Sequence, residues 1–227
     1  MKILHLETSS RNCSVAISDG EELLCLCEKV SESYKQSESL HTFVQWALEG
    51  AELGLADLDA VCLGSGPGSY TGLRIGASSA KGFCYALDIP LVAVNSLDSL
   101  VQPYLKQQWD LIIPMIDARR MEVYTAVYDG NSGERLSDTE SLILESGSYG
   151  QFDGKKILFV GDGATKAKDI LNINAEFNAE VFPSAKFLIQ SAVQRFQAGN
   201  FEDIAYFEPF YLKDFQGTKK NHIQNNE

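Results

Sequence analysis

Basic side chains are in short supply in this chain. Nineteen Lys and Arg stand against 31 Asp and Glu, a formal net charge of −12. Such a chain repels a polyanion over most of its surface, which excludes a broad basic platform for nucleic acid. The basic spot Lys219-Lys220-Asn221-His222 falls in the last residues, where a solvated, frayed terminus is the plain reading. Histidine is scarcer still: His5, His41 and His222 are all there is. No His-x-x-x-His or His-Glu-x-x-His spacing occurs, so the zinc-peptidase pattern is excluded. There is no Gly-x-Ser-x-Gly elbow and no Gly-Lys-Ser/Thr ending of a P-loop. No apolar run reaches the roughly 18–20 residues of a membrane span. Met1-Lys2 leads straight into a strand-like run, so no signal peptide is expected and the cytoplasm is the expected compartment. The cysteines are odd in number and scattered (Cys13, Cys25, Cys27, Cys62, Cys84). They read as reduced packing thiols, since no ligand set for a metal lies near them.

What is present begins with Gly64-Ser65-Gly66-Pro67-Gly68-Ser69-Tyr70-Thr71-Gly72-Leu73-Arg74-Ile75-Gly76. It follows the apolar run Leu58 to Leu63 and opens a helix-like segment that continues to Leu87. A strand, a glycine loop and a helix start in a row gather backbone N–H groups where an anion can sit. Gly72, Gly76 and Gly82 inside the helix each cost about 1 kcal/mol relative to Ala. With Ala77, Ser79 and Ala80 they leave one side nearly bare, so a ligand, a backbone or another helix must come close.

The chain also repeats itself. Lys2–Glu7, Cys13–Ser18 and Glu22–Glu28 read as strands, with a hairpin turn at Asp19-Gly20. A shift of 110 residues lays Glu7 on Asp117, Ala16 on Ala126 and Asp19-Gly20 on Asp129-Gly130. Strands are expected at Leu111–Asp117 and Val123–Tyr128, with hairpins in equal register. Each half has a later strand ending in Gly-x-Gly, at Gly64–Gly66 and Gly161–Gly163. The economical account is a duplicated unit, antiparallel strands first and then strand, glycine loop and helix. Two copies side by side leave a cleft, with Glu7, Asp117 and the glycine loops facing it. The alternative is chance recurrence.

Between these landmarks, residues 37–53 carry a helical stripe (Leu40, Phe43, Val44, Ala47, Leu48, Ala51). Thr42, Trp46, Gly50 and Leu53 form a second patch, read either as a partner face or as a surface covered by a loop of the chain. Leu91–Asn95 is a strand, and Ser96 is the expected N-cap of a helix to about Lys106. Helices are expected at Ala164–Leu171 and Ser184–Gln197. The aromatic stretch from Glu202 to Phe215 is expected to pack onto the body. Glu7 and Asp117 could do acid–base work or hold Mg²⁺, but strand-end acids paired with Arg119 or capping loops are the favoured reading. A cleft shaped for a nucleotide, with few groups for catalysis, is what remains.

Four blocks carry a family resemblance: Ile3-Leu4-His5-Leu6-Glu7-Thr8-Ser9, Gly66 to Gly76, Asp117-Ala118-Arg119-Arg120-Met121-Glu122-Val123-Tyr124, and Pro209-Phe210-Tyr211-Leu212-Lys213. The chain resembles the TsaB (YeaZ) family over roughly residues 1–215. It departs at Glu7, where the family usually has Asp, and at Lys213, where it usually has Arg. The resemblance implies an α/β, duplicated actin-like/RNase H-like fold of the Hsp70–actin–sugar kinase superfamily, with mixed sheets flanked by helices. It implies an N-terminal lobe at 1–105, a C-terminal lobe at 106–200 and a segment at about 200–215 packed back on the first lobe; beyond the resemblance, the tail at 216–227 is expected to be disordered.

The catalytic paralogue TsaD carries Val-Asn-His-Leu-Glu-Ala-His after its glycine loop, and the two His bind the active-site metal. The matching run here is Val94-Asn95-Ser96-Leu97-Asp98-Ser99-Leu100, with Ser96 and Leu100 in the ligand positions. By resemblance, the chain is a non-catalytic scaffold and activator in making N6-threonylcarbamoyladenosine at the adenosine next to the anticodon of ANN-decoding tRNAs. Its implied partners are TsaD and TsaE, or a second copy of itself when alone. The tRNA is met only indirectly, and no membrane is involved. Phe43, Trp46, Ala47, Gly72, Gly76, Ala80 and Phe83 are the expected partner interface. Glu7, Thr8, Ser9, Gly66, Gly68, Asp117, Arg119, Gly161 and Gly163 would line a nucleotide cleft. No catalytic or metal-binding residue and no required cofactor is expected, with room for weak ATP or ADP binding. The rival reading is an ATP-dependent phosphotransferase or glycopeptidase-like enzyme of the same superfamily.

Overall fold

A computed structural model describes residues 1–31 and 36–213. The expected tail at 216–227 lies outside the described residues. Two mixed sheets share one plan. In the first, β1 (Lys2–Glu7), β2 (Asn12–Asp19), β3 (Glu22–Val30), β4 (Ala60–Gly64) and β5 (Leu91–Val94) stand in the order β3-β2-β1-β4-β5. β1 pairs antiparallel with β2 and parallel with β4. In the second, β6 (Leu111–Asp117), β7 (Glu122–Thr125), β9 (Glu140–Ile143), β10 (Ile157–Val160) and β11 (Glu176–Asn178) stand in the order β11-β10-β6-β7-β9. A short β8 (Tyr128–Asp129) also pairs with β6. β6 again has an antiparallel neighbour in β7 and a parallel one in β10.

The halves are not in equal register. Glu7 faces Ser14, but Asp117 faces Val123 rather than Tyr124, because the second hairpin loop is one residue shorter. The expected strand Val123–Tyr128 also breaks at Ala126-Val127 into β7 and β8.

The helices are α1 (Gln36–Gly50), α2 (Tyr70–Leu87), α3 (Ser96–Val101), α4 (Ala164–Ile170) and α5 (Ile189–Gln197). The apolar stripe Leu40, Phe43, Val44, Ala47 and Leu48 of α1 is buried against Val15 and Ile17 of the first sheet and against Ala77 and Ala80 of α2. Ser69 caps α2, its hydroxyl accepting from Gly72 N–H at 3.3 Å, and Asp88 ends the helix in a left-handed conformation. Both ends of α2 are thus closed by side chain or backbone rather than left open.

Packing exchanges partners between the halves. α3 buries Leu97, Leu100 and Val101 against Ile112, Ile116 and Tyr128 of the second sheet. α5, with the 3-10 turn Ala185–Leu188, buries Leu188, Ala192 and Val193 against Ile3, Cys62 and Val92 of the first. A cut at 105/106 therefore follows the chain but not the cores. Glu202 bridges to Leu91, Phe207 packs on the first core and Phe210 N–H donates to Ser65 O at 2.8 Å, whereas Lys213 pairs with Glu122 of the second sheet. No helix among the described residues is long and apolar enough to cross a membrane. All five cysteines are free; Cys13, Cys62 and Cys84 are buried, and burial pushes their thiols up.

Candidate functional site

The residues of the expected cleft form two separate knots. The first is built on Glu7, which is wholly buried at the end of β1. Its Oε1 accepts Ser9 N–H at 2.8 Å, and its Oε2 accepts the Ser96 hydroxyl at 2.9 Å. Burial pushes its carboxyl above the usual range, against the pull of those hydrogen bonds. Ser96 is the first residue of α3, not its cap. Asn95 holds that place, with Oδ1 accepting Leu97 N–H at 2.9 Å. The helix ends at Val101, short of the expected Lys106, and a 3-10 turn over Gln102–Tyr104 follows.

Ser96 also accepts Gly66 N–H at 3.3 Å, while its own N–H donates to Gly66 O at 2.8 Å. Ser65 N–H donates to Val94 O and Ser69 N–H to Ser9 O. The first glycine loop, expected to cradle an anion, thus gives these donors to its own chain. Glu7, expected to face a cleft, is enclosed as well: a Cβ on Gly64 would lie 2.6 Å from its Cδ.

The second knot gathers at the end of β6. Gly161 sits at φ +114, and a Cβ there would overlap Met115 O. Gly163 N–H donates to that same oxygen at 3.0 Å. Asp162 between them is 9% exposed, and its Oδ1 accepts Asp117 N–H at 3.0 Å. Burial, with the nearby Asp117 charge added, pushes its carboxyl up to about 6 despite its hydrogen bonds and Arg11. Asp162 carried no weight in the sequence; its signal was an acid held between two glycines at a strand end. Arg11, set over the Phe182 ring at 5.5 Å, is the cation whose charge reaches Asp162. His5, by contrast, is a core residue bonded to Ser18 Oγ at 2.8 Å, and burial lowers its imidazole to about 3.

Asp117 is committed to its own hairpin loop and to α4. Its Oδ1 accepts Arg119 N–H at 2.5 Å and Lys166 Nζ at 2.8 Å. Its partner is therefore the backbone of Arg119 together with Lys166, and the Arg119 side chain is exposed. Lys166 also donates to Glu122 O at 3.1 Å, and Lys213 pairs with the Glu122 carboxylate. The loop so held contains Arg119 at φ +68 and Arg120 at φ +51. Left-handed backbone costs an L residue roughly 1–2 kcal/mol, so this turn bears two strained arginines where Asn or Gly would be relaxed.

The residues expected to meet a partner divide. Gly72 and Gly76 face Thr8: a Cβ at Gly72 would overlap Thr8 O, and one at Gly76 would overlap Thr8 Oγ1 and stand 3.0 Å from Leu63. Thr8 Oγ1 donates to Gly72 O at 2.8 Å. The close approach that the bare side permits is thus made by the chain itself. Ala47 and Ala80 are fully buried and Phe43 nearly so. Trp46 remains outside, 53% exposed and leaning on Phe43 at 5.7 Å. Phe83 is half-buried against His41, whose Nε2 lies 3.2 Å from Ser79 Oγ. Tyr85, two residues on and so on the other side of α2 from Phe83, is 83% exposed.

Two sheets on one plan, with glycine loops at their strand ends and helices packed on them, define an α/β protein with the doubled fold of actin-like ATPases and sugar kinases. The activator of a 2-hydroxyisocaproyl-CoA dehydratase from Clostridium difficile shares this fold at a TM-score of 0.52, with 10% identity over 87% of this chain and 95% of that one. A family model described as TsaD, tRNA N6-adenosine threonylcarbamoyltransferase, matches residues 30–205. The Escherichia coli K12 protein described as tRNA threonylcarbamoyladenosine biosynthesis protein TsaB is 28% identical, over 97% of this chain and 98% of its own length. YeaZ from Pseudomonas aeruginosa superposes with a TM-score of 0.81 at 28% identity, covering 93% of this chain and 99% of that one. The chain belongs to this family, on its TsaB (YeaZ) side.

Proposed function

We propose that this chain is a non-catalytic subunit of the machinery that makes N6-threonylcarbamoyladenosine on ANN-decoding tRNAs, docking on TsaD and activating it. TsaE joins where the two meet, and a homodimer forms when the chain is alone in the cytoplasm. The observation that carries the reading is the state of Ser96 and Leu100. Both are fully buried; one offers only an aliphatic side chain and the other commits its hydroxyl to Glu7. The resemblance sets the metal-binding His of TsaD at these two positions, so here they serve the core. Among the described residues no three His, Cys, Asp or Glu stand together as a metal set. The rival phosphotransferase reading needs Glu7 at a nucleotide, and Glu7 is enclosed. Trp46, Phe83 and Tyr85 are the apolar anchors left for a partner.

Reconstitution tests the proposal. This chain is mixed with TsaD, TsaE, tRNA and threonylcarbamoyl-AMP, then omitted. Modification is expected to collapse without it, and turnover by this chain in the absence of TsaD is expected to be nil. Full-rate modification without this chain ends the reading.

A further inference from the structure

We propose that the hairpin tip Arg119–Arg120 contacts the phosphodiester backbone of the tRNA as it is held by the assembly. This rests on the function proposed above. The tip is the loop between β6 and β7, and both arginines are exposed. Both sit at positive φ, a conformation that L residues avoid, yet the loop is held firm. Asp117 accepts Arg119 N–H and Lys166, Lys166 reaches Glu122 O, and Ala118 N–H closes on Glu122 O at 3.1 Å.

Charge bookkeeping around the tip leaves a surplus. Asp117 is neutralised by Lys166 and Glu122 by Lys213. Neither guanidinium has a hydrogen bond or ion pair among the described residues, so both are open to an anion from outside. A chain of net charge −12 repels RNA elsewhere. An RNA contact is therefore confined to places where the local sign reverses, and a guanidinium suits the two oxygens of a phosphodiester. The arginines carry no base-reading geometry, so the contact is one of position and not of sequence. The expectation of purely indirect tRNA contact gives way here to a small direct one.

The test compares wild type, Arg119→Glu/Arg120→Glu and Arg119→Lys/Arg120→Lys in the assembly with TsaD, TsaE and threonylcarbamoyl-AMP. Initial rates are read against tRNA concentration at roughly 50 to 200 mM salt. The Glu pair should raise KM for tRNA about tenfold and lower the salt slope by about 1.5–2, the share of two phosphate contacts. The Lys pair should restore most of both. Equal thermal midpoints confirm that the variants fold, because the loop is held through backbone and Asp117. Unchanged KM and slope overturn the contact, while loss of modification on omitting this chain would still uphold the scaffold. If omission has no effect, the scaffold reading falls and the contact with it. A Glu variant that no longer co-elutes with TsaD points instead to an acidic protein surface and overturns the RNA assignment.

Discussion

Ser96→Ala deletes one oxygen at the centre of the first knot. That oxygen donates to the buried Glu7 carboxyl at 2.9 Å and accepts Gly66 N–H at 3.3 Å. A hydrogen bond to a charged group is worth about 1.5–3 kcal/mol, and a buried donor left without a partner costs about 1–3 kcal/mol. The second bond is long, so the lower end applies to it, and the sum is about 3 kcal/mol. For a chain of this size each kcal/mol moves Tm by about 2–4 °C, so a fall of roughly 6–12 °C is expected. The loss also depends on pH. Glu7 has its folded pKa above the unfolded one, so the folded state holds more protons, and the charged form weighs against folding once pH exceeds both values. Removing a donor that favours the charged form enlarges that penalty. Ser96→Ala should therefore lose at least as much at pH 7.5 as at pH 4.5, whereas Glu7→Gln, neutral and isosteric, should remove the pH dependence that Glu7 itself contributes. Urea melts at the two pH values measure both effects. A Ser96→Ala change under about 0.5 kcal/mol, equal at both, would refute the account of Glu7 as a carboxyl held by the chain.

Two further outcomes follow from the same packing. Gly76→Ala drives a Cβ into Thr8 Oγ1 and against Leu63, and should destabilise by about 2 kcal/mol or more in urea melts. Gly82→Ala in the same helix meets nothing within 4 Å and should stabilise by about 1 kcal/mol; equal effects at the two sites would contradict the packing. Asp162, raised to about 6 from 3.8, favours folding below pH 4 and loses that advantage as pH climbs to 6, by up to about 3 kcal/mol. Asp162→Asn should flatten that stretch of the stability–pH curve, and a carboxyl carbon titrating near 4 in NMR would contradict the shift.

Period and punctuation made the scaffold readable. Apolar runs ending at Glu7, Gly64, Asp117 and Gly161 marked four strands because a buried strand must shed its polar residues. Gly72 and Gly76 of α2 foretold a close approach that explains their cost in a helix, while Gly82, read the same way, faces open space. Which object comes close was not readable: it is Thr8, sixty-odd positions away in sequence, and α2 cannot signal who stands over it. For the same reason the strand-end acids could be read as paired or capping, but their side-chain partners could not: Ser96 in one half and Lys166 in the other.

The sequence by itself determined the element types, the doubled plan and the family, because these rest on local propensity and on motifs that stand in one piece. The tertiary structure alone decided the exchange of α3 and α5 between the two sheets and the enclosure of Glu7. It also decided which apolar residues stay outside and where two arginines find no acid among the described residues. Each of these depends on atoms brought together from distant parts of the chain, and a linear pattern carries no record of which distant group will satisfy a given charge or fill a given gap.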